Sequence, residues 1–348
     1  MRRYIYFGSS NPFSSEWRTT TVNETVTLPY EAGGTYDGFI DWGDGTTSIN
    51  SFANRTHTYA TAGYYTIKVY GLCRGFTFNN LGDKDKIYRI FSWGKNFNIG
   101  NTGGYFFGCT NLNLSVVSDI LRFDSTNTNG EFFFRGCTSL TTINRINEWN
   151  VSTFTFMRSF FLLCSNFNGD LSSWNVSNVT NMDSMFRGTA FNGNISSWNV
   201  GNVTVLSSMF RDNTVFNQPL NLWNVGNVTL FNDMFFNSSS FNQPLNLWNV
   251  LNATNMSNMF RIATNFNQNI GNWDIRNVTN FLNFMFGKTF SNYSTANYNA
   301  LLIGWASRPV KPNISINFGT IKRTSAATSA RLILTSSPNN WTIVDGGL

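Results

Sequence analysis

The sequence predicts a mainly β protein: a strand-rich N-terminal part, a solenoid of coils about 25 residues long, and a small α/β C-terminal cap. Three observations carry that expectation. Trp149, Trp174, Trp198, Trp223, Trp248 and Trp273 stand 25, 24, 25, 25 and 25 residues apart. Hydrophobic residues make up 41% of the chain and charged residues only 12%, where an ordinary globule keeps roughly 25%, so Asn, Ser and Thr must solvate most of the surface. Near the start, β-branched and aromatic runs flank Gly/Asp turns.

The first element is a strand and turn at Asp41-Trp42-Gly43-Asp44-Gly45-Thr46, followed by His57-Thr58-Tyr59 and a strand from Tyr64 to Val69. Residues 1–74 are assigned to this part, 75–290 to the array and 291–348 to the cap. In the array, Trp174-Asn175-Val176 recurs as Trp198-Asn199-Val200, Trp223-Asn224-Val225 and Trp248-Asn249-Val250, then as Trp273-Asp274-Ile275. Met185-Phe186 recurs as Met209-Phe210, Met234-Phe235 and Met259-Phe260, and at Met285-Phe286 one residue late, which reads as an insertion. Val176, Val179, Met182 and Met185 are spaced by three, which suits short strands, tight turns and single helical turns better than a long strand or helix.

One coil cannot stand alone. About seven apolar side chains supply on the order of 10–20 kcal/mol, against roughly 25–50 kcal/mol to order the backbone of such a coil. Neighbours must cover it. Asn178, Asn202, Asn227, Asn252 and Asn277 read as a ladder bonding the turn backbone of adjacent coils, which explains their N-x-Thr sequons without glycosylation. Asn299 to Ala306 reads as a helix, Thr324 to Leu334 as a second, and Trp341 to Gly347 as a closing strand and turn over the last coil.

The run Trp-Asn-Val-Ser-Asn-Val-Thr-Asn-Met-x-x-Met-Phe from Trp174 to Phe186, with Phe191-Asn192 after it, resembles the BspA-like leucine-rich-repeat surface proteins. Phe134-Arg135-Gly136-Cys137 and Phe107-Gly108-Cys109 resemble another element of that broad family, so the array is expected to begin before Trp149, with Trp93-Gly94 in an early coil. The Asp41 to Thr46 turn with His57-Thr58-Tyr59 resembles PKD-type domains. Together the resemblances imply an immunoglobulin-like (PKD-type) β-sandwich followed by a leucine-rich-repeat-like solenoid. The chain departs from the family in carrying Asn where relatives often have Asp, as at Asn175 and Asn181, and in lacking the signal peptide of exported relatives.

Chemistry is sparse. His57, the only histidine, has no nucleophile or carboxylate suggested near it in sequence and is assigned a structural role. Asp41 and Asp44 make too thin a set for calcium and are assigned to turn geometry. Asp170, Asp183, Asp212, Asp233 and Asp274 fall at unrelated repeat positions, so no glycosidase-like carboxylate pair is expected. Cys73, Cys109, Cys137 and Cys164 form no C-x-x-C pair; the last three mark equivalent places in successive coils and read as buried small residues. The net charge of +6 is spread thinly, against nucleic-acid binding.

The apolar run from Tyr4 to Phe7 is too short for a signal-peptide core, and no stretch of about 18 apolar residues follows. The sequence therefore predicts no catalytic residue, cofactor, metal site, nucleic-acid partner or membrane insertion. Binding residues are unassigned, the six tryptophans being a structural ladder. Positions that vary between coils, such as Ser177, Gly201, Gly226, Leu251 and Arg276, would shape a recognition face. The functional expectation is a non-enzymatic structural or adhesive protein on the virion surface, as capsid decoration, fibre or attachment protein. Its partners would be other virion or surface proteins and a host-surface protein or glycan. A cell-surface adhesin exported by a non-standard route and a carbohydrate-active enzyme are the alternatives.

Overall fold

A computed structural model describes residues 11–348; the apolar run before Gly8 lies outside the described residues. Ten strands come first: β1 (Phe13–Thr19), β2 (Glu24–Thr27), β3 (Tyr30–Tyr36), β4 (Phe39–Asp41), β5 (Thr47–Ile49), β6 (Thr56–Tyr59), β7 (Gly63–Tyr70), β8 (Cys73–Phe76), β9 (Ile87–Ser92) and β10 (Phe97–Asn98). At the other end lie α1 (Thr295–Ala306), β11 (Ser315–Asn317), α2 (Thr328–Thr335) and β12 (Thr342–Val344).

The N-terminal strands form a five-stranded sheet in the order β5-β4-β7-β1-β9, a three-stranded sheet β10-β8-β3 and a two-stranded ribbon β2-β6. Period-two alternation places Phe13, Ser15 and Trp17 of β1 and Ile67 and Val69 of β7 in the core. Trp17 donates its indole N–H to Ser15 Oγ at 2.8 Å, so the buried ring leaves no polar atom unpaired. The turn between β4 and β5 requires glycine at Gly43: its φ is 78°, and a Cβ there would meet the Thr66 carbonyl oxygen at 2.6 Å.

From Phe76 onward the chain winds in stacked coils. Backbone N–H groups of one coil donate to carbonyls of the next, as from Phe186 to Met209 (3.0 Å), Phe210 to Met234 (3.0 Å) and Phe235 to Met259 (2.9 Å). Within a coil, Val179 N–H donates to the Val176 carbonyl at 2.9 Å and Met185 N–H to that of Met182 at 3.3 Å. The spacing of three is thus the signature of successive tight turns, each returning an apolar side chain to the interior. Two positions per coil are left-handed: Ser184, Ser208, Asp233, Asn258 and Asn283 at one, Gly188, Asp212, Asn237, Ile262 and Gly287 at the other.

The tryptophans stack along the array. Trp198 lies 6.4 Å from Trp174 and 6.5 Å from Trp223, with ring planes 3° apart in both pairs. Each of five indoles donates backwards: Trp174 to Ile146, Trp198 to Leu171, Trp223 to Ile195, Trp248 to Leu220 and Trp273 to Leu245, over 2.8–3.1 Å. The cap adds one more rung, because Trp305 on α1 donates to the Ile270 carbonyl at 3.3 Å. Helix α1 is capped by Ser294, whose hydroxyl accepts from the Asn297 N–H. Strand β11 bridges to the last coil at Phe281 and pairs in parallel with β12.

Two expectations are corrected here. The array is not a leucine-rich-repeat solenoid: between β10 and α1 its β-pairing consists of isolated parallel bridges, as at Phe156 with Asn181 and Asn181 with Val205. From Asn129 onward a left-handed residue three places after each bridge breaks the extended geometry, so the inter-coil hydrogen bonds that continue past it, as from Ser184 N–H to the Ser207 carbonyl, build no strand. Nor are the N-terminal strands an immunoglobulin-like two-sheet sandwich. They are divided among three small sheets, one containing the parallel pair β8-β10, and β9 joins the sheet of β1 from beyond residue 74. The mainly β character of the regular structure stands.

The expected insertion near Met285 is also absent. Phe284 and Met285 are buried and take the places of Met259 and Phe260, with Phe260 N–H on the Phe284 carbonyl at 2.9 Å. Phe286 is left 42% exposed.

Candidate recognition face

The bridging residues Asn129, Phe156, Asn181, Val205 and Leu230 line a shallow groove of about 780 Å³ along one side of the array. The residues two places further on line it too: Glu131, Arg158, Asp183, Ser207 and Asn232. The bridging asparagines also fix the turn that follows, since Asn181 Oδ1 accepts from the Asp183 N–H at 2.9 Å and Asn255 Oδ1 from the Ser257 N–H at 3.0 Å.

Arginines lie over aromatic rings along this part of the array, Arg158 of the groove among them. Arg135 lies 4.7 Å from the Phe107 ring centroid and 5.4 Å from that of Phe132, over which Arg158 also lies at 5.4 Å. Arg211 lies 4.3 Å from Phe236, and Arg261 sits between Phe236 at 5.3 Å and Phe286 at 5.0 Å. Carboxylates engage the middle of the line: Asp183 with Arg158 at 3.1 Å, Asp212 with Arg187 at 3.7 Å and Arg211 at 3.4 Å, Asp233 with Arg211 at 3.1 Å. These acids, scattered when read as sequence, therefore share one face and meet arginines there. Asp170 caps a turn by accepting from Ser172 N–H, and Asp274 pairs with Arg276.

The other predicted residues sit elsewhere. All six ladder tryptophans are buried, at 0–3% exposure, and offer no strip to a ligand. Asn178, Asn202, Asn227, Asn252 and Asn277 each donate their amide to a carbonyl of the preceding coil over 2.7–2.9 Å. The acceptors of four of them belong to Ser177, Gly201, Gly226 and Leu251, so these positions face this ladder, whereas the groove is lined by the bridging residues. His57 does find a carboxylate: its Nε2 lies 2.7 Å from Asp44 Oδ2, with the ring stacked on Trp42 at 5.0 Å. Burial pushes Asp44 up, but hydrogen bonds from Thr46 and His57 outweigh it and hold the carboxyl below its usual range. Asp41 accepts from Gly43 N–H at 3.0 Å, a turn bond. Among the described residues no group of three or more His, Cys, Asp or Glu is placed to hold a metal ion.

Cys109, Cys137 and Cys164 are buried and unpaired, at one inward position that Thr189, Asn213, Ser238, Ala263 and Lys288 occupy in later coils. Burial raises the thiols of Cys109 and Cys137 well above the usual range. Sequence reading missed Lys288. It is 1% exposed, and its ammonium nitrogen lies 2.7–3.0 Å from the carbonyl oxygens of Ala263, Thr264, Phe266 and Asn292, four acceptors that share its three N–H donors. Burial pulls it down to about 7. Its sequence signal was its place in line with the cysteines.

A stack of turns that buries its repeated aromatics and carries a grooved, arginine-bearing side defines a repeat protein. The family described as Mycoplasma protein of unknown function, DUF285, matches residues 101–205, 128–238 and 189–299. These stretches cover more than half of the chain, which belongs to that family. No curated protein and no solved structure matches it.

Proposed function

We propose that this chain is a non-enzymatic adhesive or structural protein of the BspA-like surface kind, displayed outside a virion as a capsid decoration, fibre or attachment component. The observation that supports adhesion best is the open groove, whose lining changes residue from coil to coil over the repeated buried stack. Such a surface can be altered one side chain at a time without disturbing the buried stack beneath it. Its partners are other virion or surface proteins and a host-surface protein or glycan. A second reading, a cell-surface adhesin, is favoured by the mycoplasmal description of the family.

Mass spectrometry of purified particles and biotin labelling of intact cells separate the two. Recovery from particles supports the virion reading, and labelling on cells the adhesin. Recovery only from the interior of cells would remove both.

A further inference from the structure

The arginine line is unevenly neutralised. Arg158, Arg187 and Arg211 face aspartates, whereas among the described residues Arg135 and Arg261 have no carboxylate within 4.0 Å. Arg261 Nε is buried without any hydrogen-bond partner, and its Nη1 makes only a 3.5 Å contact with Asn258. An arginine held between two rings keeps its planar fork oriented, so a carboxylate can meet it with little further ordering. The rings themselves offer apolar faces, Phe286 being 42% exposed.

We propose that Arg261, between Phe236 and Phe286, is an anion-reading subsite for a carboxylate-bearing glycan, with Arg135, beside the stacked rings of Phe107 and Phe132, as its counterpart five coils away. This rests on the adhesive reading and names its ligand class. The sparseness of unneutralised charge favours this class. Five coils separate the two arginines, which at parallel-strand spacing of about 4.8 Å is roughly 24 Å. Each strand of duplex DNA carries a phosphate about every 3.4 Å of helix axis and calls for denser unneutralised charge. An acidic polysaccharide has sparse carboxylates separated by hydroxyls. Asn181, Ser207 and Asn232 in the groove supply hydrogen-bonding groups for those hydroxyls, and ring faces suit sugar C–H surfaces.

The test uses the full chain and hyaluronan oligosaccharides, with dextran, dextran sulfate, oligothymidylate and polyglutamate as comparisons, in calorimetry at fixed salt. Hyaluronan should bind. R261Q should weaken it by about ten- to a hundred-fold, as loss of hydrogen bonds to a charged group does. R135Q should weaken it similarly, and R261K should fall between, since lysine keeps the charge without the fork. R276Q, whose arginine pairs with Asp274 at a different position of the coil, should bind like the wild type. Unchanged circular dichroism and melting of R261Q show that the fold is intact; if R261Q does not fold, R261K and R135Q decide.

Absence of hyaluronan binding overturns the inference, as does equal binding of dextran, tighter binding of dextran sulfate, oligothymidylate or polyglutamate, or indifference to both R261Q and R135Q. A chain that labels on particles or cells yet ignores hyaluronan loses this ligand and keeps the adhesive reading.

Discussion

Replacing Trp198 with alanine tests the stacked core most directly. The ring is 3% exposed, lies between Trp174 and Trp223, meets Phe186 at 6.1 Å and donates its indole N–H to the Leu171 carbonyl at 3.0 Å. Losing on the order of 150 Å² of buried apolar surface at about 25 cal/mol per Å² costs roughly 4 kcal/mol. That agrees with the 3–5 kcal/mol typical of a buried tryptophan cut back to alanine. The stranded Leu171 carbonyl adds about 1 kcal/mol. Trp198→Phe keeps most of the ring and loses the N–H, so roughly 1–2 kcal/mol is expected. Urea denaturation followed by far-ultraviolet circular dichroism reads both, since fluorescence would mix in the other tryptophans. A W198A midpoint indistinguishable from wild type would refute the reasoning. Equal losses in W198A and W198F would place the effect in the hydrogen bond and not in the stack.

Lys288 gives a pH prediction. Burial lowers its folded value to about 7 against an ordinary 10.5, so the unfolded chain binds the extra proton between those limits. The stability of wild type relative to Lys288→Met should rise as pH goes from about 7 towards 9, read as the difference of urea midpoints; parallel profiles would contradict it. Glu24 acts at the acid end. The Thr20 N–H above all, then the Lys86 ammonium, hold it at about 2 despite some burial. Its contribution is present above about 4.5 and lost as pH falls towards 2, so Glu24→Gln should flatten the acid limb of the stability curve, and an unchanged limb would remove that role. Cys109, Cys137 and Cys164 should resist a thiol reagent at pH 8 until denaturant is added, given buried thiols raised or shielded from solvent. Rapid labelling of the native chain would show that the coils open.

The repeat was legible because the same aromatic recurs at the same inward position, and Trp174 to Trp273 need no structure to be aligned. The turns were half legible: Val176, Val179, Met182 and Met185 excluded a long strand, but the strength of the turn habit was hidden. Left-handed backbone occurs at Ser184, Asp233 and Asn258, at equivalent places with no common residue, so no motif marks it. Without that signal the array resembled a strand-bearing repeat. The arginine-bearing side was invisible for a related reason. Arg211 and Phe236, or Arg261 and Phe286, stand 25 residues apart, and each pair joins unlike residue types at one repeat position, where alignment shows only variability. Register decided the rest: taking Met285-Phe286 as the inward pair hid the exposed Phe286.

The inward position shared by Cys109, Cys137, Cys164, Thr189, Asn213, Ser238, Ala263 and Lys288 has a consequence for assembly of the chain. Near-identical coils invite slippage, because shifting by one whole coil superimposes tryptophan on tryptophan and phenylalanine on phenylalanine. This position does not repeat in the later coils. Asn213 bonds the Phe191 carbonyl at 2.9 Å, Ser238 bonds that of Phe210 at 2.6 Å, and Ala263 leaves the room into which the Lys288 ammonium reaches. Moved one coil towards the N-terminus, Lys288 would point at Ser238 and Asn213 would lose the space it fills. The position works as an address written inside the stack, allowing a sequence of near-copies to find one order.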